Sequence, residues 1–98
     1  MKNKVAILLG SKSDEHFIKP SLEYYKYFNI NVEVHVISAH RNPNSVADFA
    51  TNARKKGYKI LVGAAGMAAH LAGALKAYST LPVIGIPLPG SVADGMDA

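Results

Sequence analysis

The sequence predicts one doubly wound α/β domain, a parallel sheet in the strand order 2-1-3-4 covered by helices on both faces. Three observations carry that expectation. "VAILLG" (5–10), "KILVGAA" (59–65) and "LPVIGIPL" (81–88) are apolar at both alternating positions, as strands buried on both sides require. Helical patterns with legible start and stop signals lie between the strands, so the units alternate β and α and the crossovers are right-handed. A fourth run, "NVEVHVI" (31–37), alternates Val32, Val34 and Val36 with Glu33 and His35. One of its faces therefore meets solvent, which places it at the sheet edge.

Taken in order, the first strand ends at Gly10, and a helix is expected from about Asp14 to Phe28, burying Ile18, Leu22 and Tyr25. Pro20 lies too deep for a first turn and should kink it. After the edge strand, "NPNSVADFATNARKKG" offers Asn42 as cap, Pro43 at the first helical position and Gly57 at the exit. Val46, Phe49, Ala50 and Ala53 form its buried stripe, and the basic run Arg54 to Lys56 reads as a last turn complementing the helix dipole. A short, small-sided helix from about Met67 to Tyr78, with Met67, Leu71 and Leu75 on one face, leads into the fourth strand.

Composition narrows the function. A chain of 98 residues, 49% hydrophobic and 18% charged, makes one globular unit with a modest core. It has no cysteine, which excludes disulfides, thiolate metal sites and cysteine nucleophiles. A net charge of +4 with a single dense basic run argues against nucleic-acid binding. Five apolar residues after Lys4 are too few for a signal-peptide core, and the uncharged stretch 60–75 falls short of the ~20 residues of a membrane span. The expectation is a soluble, cytoplasmic protein. No His-carboxylate spacing suggests a metal; His16 and His35 read as surface residues.

In a doubly wound sheet the ligand crevice opens at the carboxyl ends of the strands, where the winding reverses between strands 1 and 3. That rule selects four loops. "GSKSD" (10–14) joins a permissive glycine to two hydroxyls and a carboxylate, a phosphate cradle in which Asp14 would face ribose hydroxyls; the alternative is that Ser13 or Asp14 simply caps a helix. Neither a P-loop nor a dinucleotide fingerprint is present. "SAHR" (38–41) sets His40, whose side chain changes charge near neutral pH, beside Arg41, one of two arginines and suited to bidentate phosphate recognition. The alternative is a loop histidine packed for structure. "GAAGMAAH" (63–70) lets backbone approach a flat ligand or a second subunit, and His70 reads equally as a ligand contact or an interface residue.

In order and spacing, "GSKSD", "SAHRNP", "AGMAAHLAG" and "PVIGIP" resemble the N5-carboxyaminoimidazole ribonucleotide mutase family of purine biosynthesis. The match runs from Val5 onward, and "SAHR" with "AAHL" looks like its mutase branch; the related carboxylase branch, which takes free carbon dioxide, more often has Lys after the histidine. The resemblance implies a flavodoxin-like subunit of a homo-octamer that moves a carboxylate from the exocyclic nitrogen to the ring carbon of a small ribonucleotide, without cofactor or metal. It further implies that His40 is the general acid and then the base, that Ser11 and Arg41 hold the phosphate and Asp14 the ribose, and that Ser13, Ser38, Gly66 and His70 help close the site. A non-catalytic nucleotide-binding module and an inactive fragment are the competing readings.

Two departures accompany the resemblance. Ala72 stands where the family usually has Pro in "AAHLPG". Family members also continue beyond "DGMDA" into a fifth strand and C-terminal helices. Without them the fourth strand would be an open apolar edge, so the isolated chain is expected to dissolve poorly or associate irregularly and to show no measurable turnover.

Overall fold

A computed structural model describes residues 3–38, 42–66 and 71–89. The expected sheet is present: β1 (Asn3–Leu9), β2 (Ile30–Val36), β3 (Tyr58–Ala65) and β4 (Val83–Pro87), all parallel, in the order β2-β1-β3-β4. The helices divide between its faces. Helices α3 (Pro43–Asn52) and α4 (Leu71–Tyr78) cover one side through Val46, Ala50, Leu71 and Leu75, packed on Ala6, Leu8 and Leu61. On the other side Ile18, Leu22 and Tyr25 pack on Val5, Ile7 and Val32. The alternating faces of one strand thus feed two cores, which is why β1 is apolar at every position from Val5 to Leu9.

The first crossover is more broken than a kinked helix. It consists of α1 (Glu15–Ile18), a 3-10 turn at Lys19–Ser21 and α2 (Leu22–Tyr27). Pro20 has no N–H to donate to the His16 carbonyl one turn back, and in the 3-10 turn that takes over Ser21 Oγ donates to the Ile18 carbonyl at 2.6 Å. The basic run also differs from expectation, because α3 ends at Asn52 and Arg54 to Lys56 lie in the turns that follow. There Lys56 N–H donates to the Asn52 and Ala53 carbonyls and Gly57 N–H to Arg54, with Gly57 at φ +95°, a conformation that glycine adopts without strain. Arg54 complements no helix end; its Nε donates to Thr80 Oγ1 at 2.9 Å and ties this turn to the approach to β4. Met67, the expected first residue of α4, lies outside the described residues.

Edge strand β2 has a solvent face, as its alternation requires, but the valine side is the more open. Val34 is 36% and Val36 44% exposed, while Glu33 and His35 are half-buried. Tyr58 Oη donates to Glu33 Oε1 at 2.6 Å, and Lys4 Nζ lies 3.4 Å from Glu33 Oε2 and 4.2 Å from the centre of the Tyr58 ring. His35 packs against Phe49 of α3 at 4.9 Å between ring centres, with Nε2 3.5 Å from Glu33 Oε1. His35 is therefore part of a polar and aromatic cluster, not a free surface residue.

This cluster sets a pH dependence. Its bond to Tyr58 holds the Glu33 carboxyl below its ordinary value, with Lys4 adding to the effect against partial desolvation. Burial, then the bond to Glu33 and its charge, push the Tyr58 phenol up to about 12. A raised phenol contributes stability that is present below its ordinary value near 10 and is lost as pH climbs from there through about 12. A lowered carboxyl contributes above its ordinary range and loses that contribution on acidification. Tyr58→Phe is expected to flatten the alkaline limb of stability against pH and to cost about 1 kcal/mol near neutrality, a modest figure because Glu33 is partly solvated. Urea midpoints measured across pH check it; an unchanged alkaline limb would contradict the assignment.

Candidate active site

The carboxyl ends of the strands stand side by side, and hydrogen bonds extend the ladder into the loops. Ile37 N–H donates to the Leu9 carbonyl at 2.9 Å, aligning the exit of β2 with that of β1, and Leu88 N–H donates to Ala65 at 3.0 Å, aligning β4 with β3. A Cβ built on Gly10 would lie 3.6 Å from the Ala65 methyl, which places the β1 and β3 exits in contact. Because β1 lies between β2 and β3, the loops that carry Ser11, Ser13, Asp14, Ser38 and Gly66, the described members of the expected site, leave the sheet at the same end. His40, Arg41 and His70 lie outside the described residues.

The loop after β1 is internally braced. Ser11 Oγ accepts from Ser13 N–H at 3.3 Å and lies 2.9 Å from Ser13 Oγ, so Ser11, not Ser13 or Asp14, is the cap of the 3-10 turn Lys12–Asp14. Asp14 precedes α1 but forms no side-chain capping bond, and the residue is half-buried. The capping alternative for Asp14 therefore falls away. His16 Nδ1–H donates to the Ser13 carbonyl at 2.8 Å, a brace that the sequence reading missed; a histidine three residues after a loop serine is its only sequence signal.

The loop after β2 is closed by Asn42 N–H donating to the Ser38 carbonyl at 2.8 Å, and the Asn42 carbonyl in turn accepts from Val46 N–H at 3.2 Å. Asn42 thus joins the loop to α3 through its backbone; its side chain makes no capping bond. After β3, a Cβ on Gly66 would lie 3.2 Å from the Leu88 carbonyl oxygen, so this position is held small by the neighbouring exit. Gly63 is under tighter constraint, since its Cβ would lie 2.9 Å from Ala72 Cα. A Cβ on Gly85, its register partner on β4, would lie 3.2 Å from the Ala72 methyl. Two glycines on adjacent strands therefore form a trough in which the first turn of α4 sits directly on the sheet.

Chemically, the described part of the site offers three hydroxyls, one carboxylate and small residues at a shared strand end. Among the described residues no group of three His, Cys, Asp or Glu side chains could hold a metal ion, and no helix is long and apolar enough to cross a membrane.

Comparison with known proteins gives this arrangement its context. Residues 4–98 match the family described as AIR carboxylase. An N5-carboxyaminoimidazole ribonucleotide mutase of Saccharolobus solfataricus is 40% identical over 95 residues, which are 97% of this chain and 60% of that protein. A phosphoribosylaminoimidazole carboxylase of Ogataea methanolica is 42% identical over 97 residues, 99% of this chain and 18% of the relative. The crystal structure of Treponema denticola PurE superimposes with a TM-score of 0.86 at 25% identity, covering 98% of this chain and 61% of that one. The chain spans about 60% of the length of the curated mutases it matches.

Proposed function

The chain belongs to the AIR carboxylase family, and from that premise we propose that it takes part in converting N5-carboxyaminoimidazole ribonucleotide to 4-carboxy-5-aminoimidazole ribonucleotide in purine biosynthesis. What supports this reading is that the exits of β1, β2 and β3 lie at one end of the sheet, followed by Gly10 to Asp14, Ser38 and Gly66, in a chain about 40% identical to proteins named for that reaction.

In this proposal the protonated His40 imidazole gives its proton to the exocyclic nitrogen as the N–C bond to the carboxylate breaks and carbon dioxide forms. The ring carbon then captures that carbon dioxide, forming the new C–C bond, and neutral His40 removes the proton from the same carbon. The proton returns to His40 and no electrons are gained or lost, so the step needs no redox partner. Ser11 and Arg41 hold the phosphate, Asp14 the ribose hydroxyls, and Ser13, Ser38, Gly66 and His70 close the space in which carbon dioxide must be kept from water. The brace of Ser11 by Ser13 fits a loop preorganised for a bound anion. The assembly is a cytoplasmic homo-octamer. The carboxylase reaction with free carbon dioxide is the second reading, favoured by the carboxylase named among the relatives.

Calorimetric titration of the protein with 4-carboxy-5-aminoimidazole ribonucleotide tests the assignment of binding groups. Arg41→Lys replaces a planar fork by a point charge and Ser11→Ala removes a hydroxyl; each is expected to weaken binding by about tenfold. The matching nucleoside, which lacks the phosphate, should bind weakly and respond to neither substitution. Equal affinities in all three proteins for the ribonucleotide would move both residues out of the site.

A further inference from the structure

One peptide unit in the loop after β1, the unit that joins Ser13 to Asp14, is gripped at both ends. Its N–H, on Asp14, donates to the Ser11 carbonyl at 3.0 Å, and its carbonyl, on Ser13, accepts from His16 Nδ1–H at 2.8 Å. A peptide unit is planar, so holding its N–H and its C=O together fixes the orientation of the whole unit. The unit before it is held as well, by Ser13 N–H donating to Ser11 Oγ at 3.3 Å. All of these partners except His16 belong to the loop itself. His16 reaches back from α1, and its ring lies on that of Phe17 with centres 3.9 Å and planes 37° apart, a contact that limits where the imidazole can swing.

This frame presents two exposed hydroxyls that share one hydrogen bond, Ser11 Oγ and Ser13 Oγ at 2.9 Å. Each hydroxyl has one hydrogen to give, so a pair that spends one between its members keeps the other for a bound oxygen. Where that hydrogen is aimed depends on the backbone of Ser13, and so on the carbonyl that His16 holds. We infer that His16 is a positioning residue for the phosphate of the ribonucleotide: it fixes the peptide between Ser13 and Asp14, so that Ser11, through its bonds to Ser13, stands ready for the anion. The inference rests on the phosphate role proposed above for Ser11. His16 acts through Ser13 and touches no ligand. A loop held in place before binding has less conformational freedom to lose when the phosphate arrives, and that saving appears as affinity. It is confined to the phosphate, because the ribose and base do not rely on the hydroxyl pair.

Two substitutions separate the hydrogen bond from the ring. His16→Phe keeps an aromatic ring on Phe17 and removes the donor; His16→Asn removes the ring and keeps an N–H donor one bond from Cγ, where the imidazole Nδ1 stands. The residue is exposed, so both variants are expected to keep the wild-type urea midpoint. In calorimetric titration with 4-carboxy-5-aminoimidazole ribonucleotide, His16→Phe is expected to weaken binding about fivefold, the effect of one hydrogen bond, and His16→Asn to restore it to within about twofold of wild type. The matching nucleoside should bind all three proteins alike. In the unliganded protein, solvent exchange of the Asp14 amide measured by NMR should quicken severalfold in His16→Phe and not in His16→Asn. Ribonucleotide affinity unchanged in His16→Phe would overturn the inference and leave the proposed function standing. Equal losses for ribonucleotide and nucleoside would also overturn it, as a general loosening of the chain. So would a His16→Asn variant as weak as His16→Phe, which would make the imidazole a direct phosphate contact. A wild-type chain that binds no ribonucleotide would instead overturn the proposed function, and the Asp14 exchange rates then decide whether His16 holds the loop, equal rates in the three proteins counting against it.

Discussion

His40→Asn is expected to leave ribonucleotide binding within a few-fold of wild type and, in an assembly that turns substrate over, to lower turnover by at least the ~10²-fold typical of a general acid-base group. Asparagine keeps a planar polar group of similar reach but has no proton to exchange near neutral pH. The proposed route uses one group twice, as acid toward nitrogen and as base toward carbon, so both halves fail together. Binding should survive because the phosphate and ribose contacts are assigned to Ser11, Arg41 and Asp14. Steady-state assays paired with calorimetry separate the two quantities. Near-wild-type turnover would remove His40 from the chemistry, and loss of binding with turnover would make it a binding group.

Gly63→Ala and Gly73→Ala are expected to act in opposite directions although the added atom is the same. A methyl on Gly63 would lie 2.9 Å from Ala72 Cα and 3.0 Å from its backbone nitrogen. No side-chain rotation relieves a clash with backbone, so α4 must lift from β3, at the ~1–3 kcal/mol typical of overpacking. That displacement also strains the packing of Leu71 and Leu75, which are almost fully buried beneath the helix. Gly73, within α4, has nothing within 4 Å of the added position and is exposed. Alanine there lowers the entropy of the unfolded chain and raises stability by ~0.4–1 kcal/mol. Urea unfolding of both variants checks the pair, and equal shifts for the two would contradict the trough.

Much of this fold was legible because β1 and β3 read apolar on both faces, which only a sheet covered on both sides explains. Reading β2 as the edge followed from alternation and holds in the structure. Alternation marks two faces without saying what will cover either, and here Glu33 and His35 are sheltered because Lys4, Phe49 and Tyr58 come to them from three other elements. The breaks in the first crossover were legible at Pro20 but not in their extent, a full 3-10 turn at Lys19–Ser21 that separates two short helices. At the site, the strand-end rule picked out the loops that meet. The bracing within one of them was not legible, because Ser11 and His16 act through contacts with the Ser13 backbone that no spacing rule encodes.

The central claim is that the ribonucleotide binds where the exits of β1, β2 and β3 meet, and hydrogen–deuterium exchange of the protein with and without 4-carboxy-5-aminoimidazole ribonucleotide tests it most directly. Slowed exchange is expected in peptides covering residues 10–14, 38–42 and 64–70, with α2 at residues 22–27 unchanged. Saturating ligand that protects none of those three segments, or that protects α2 in their place, would contradict the account.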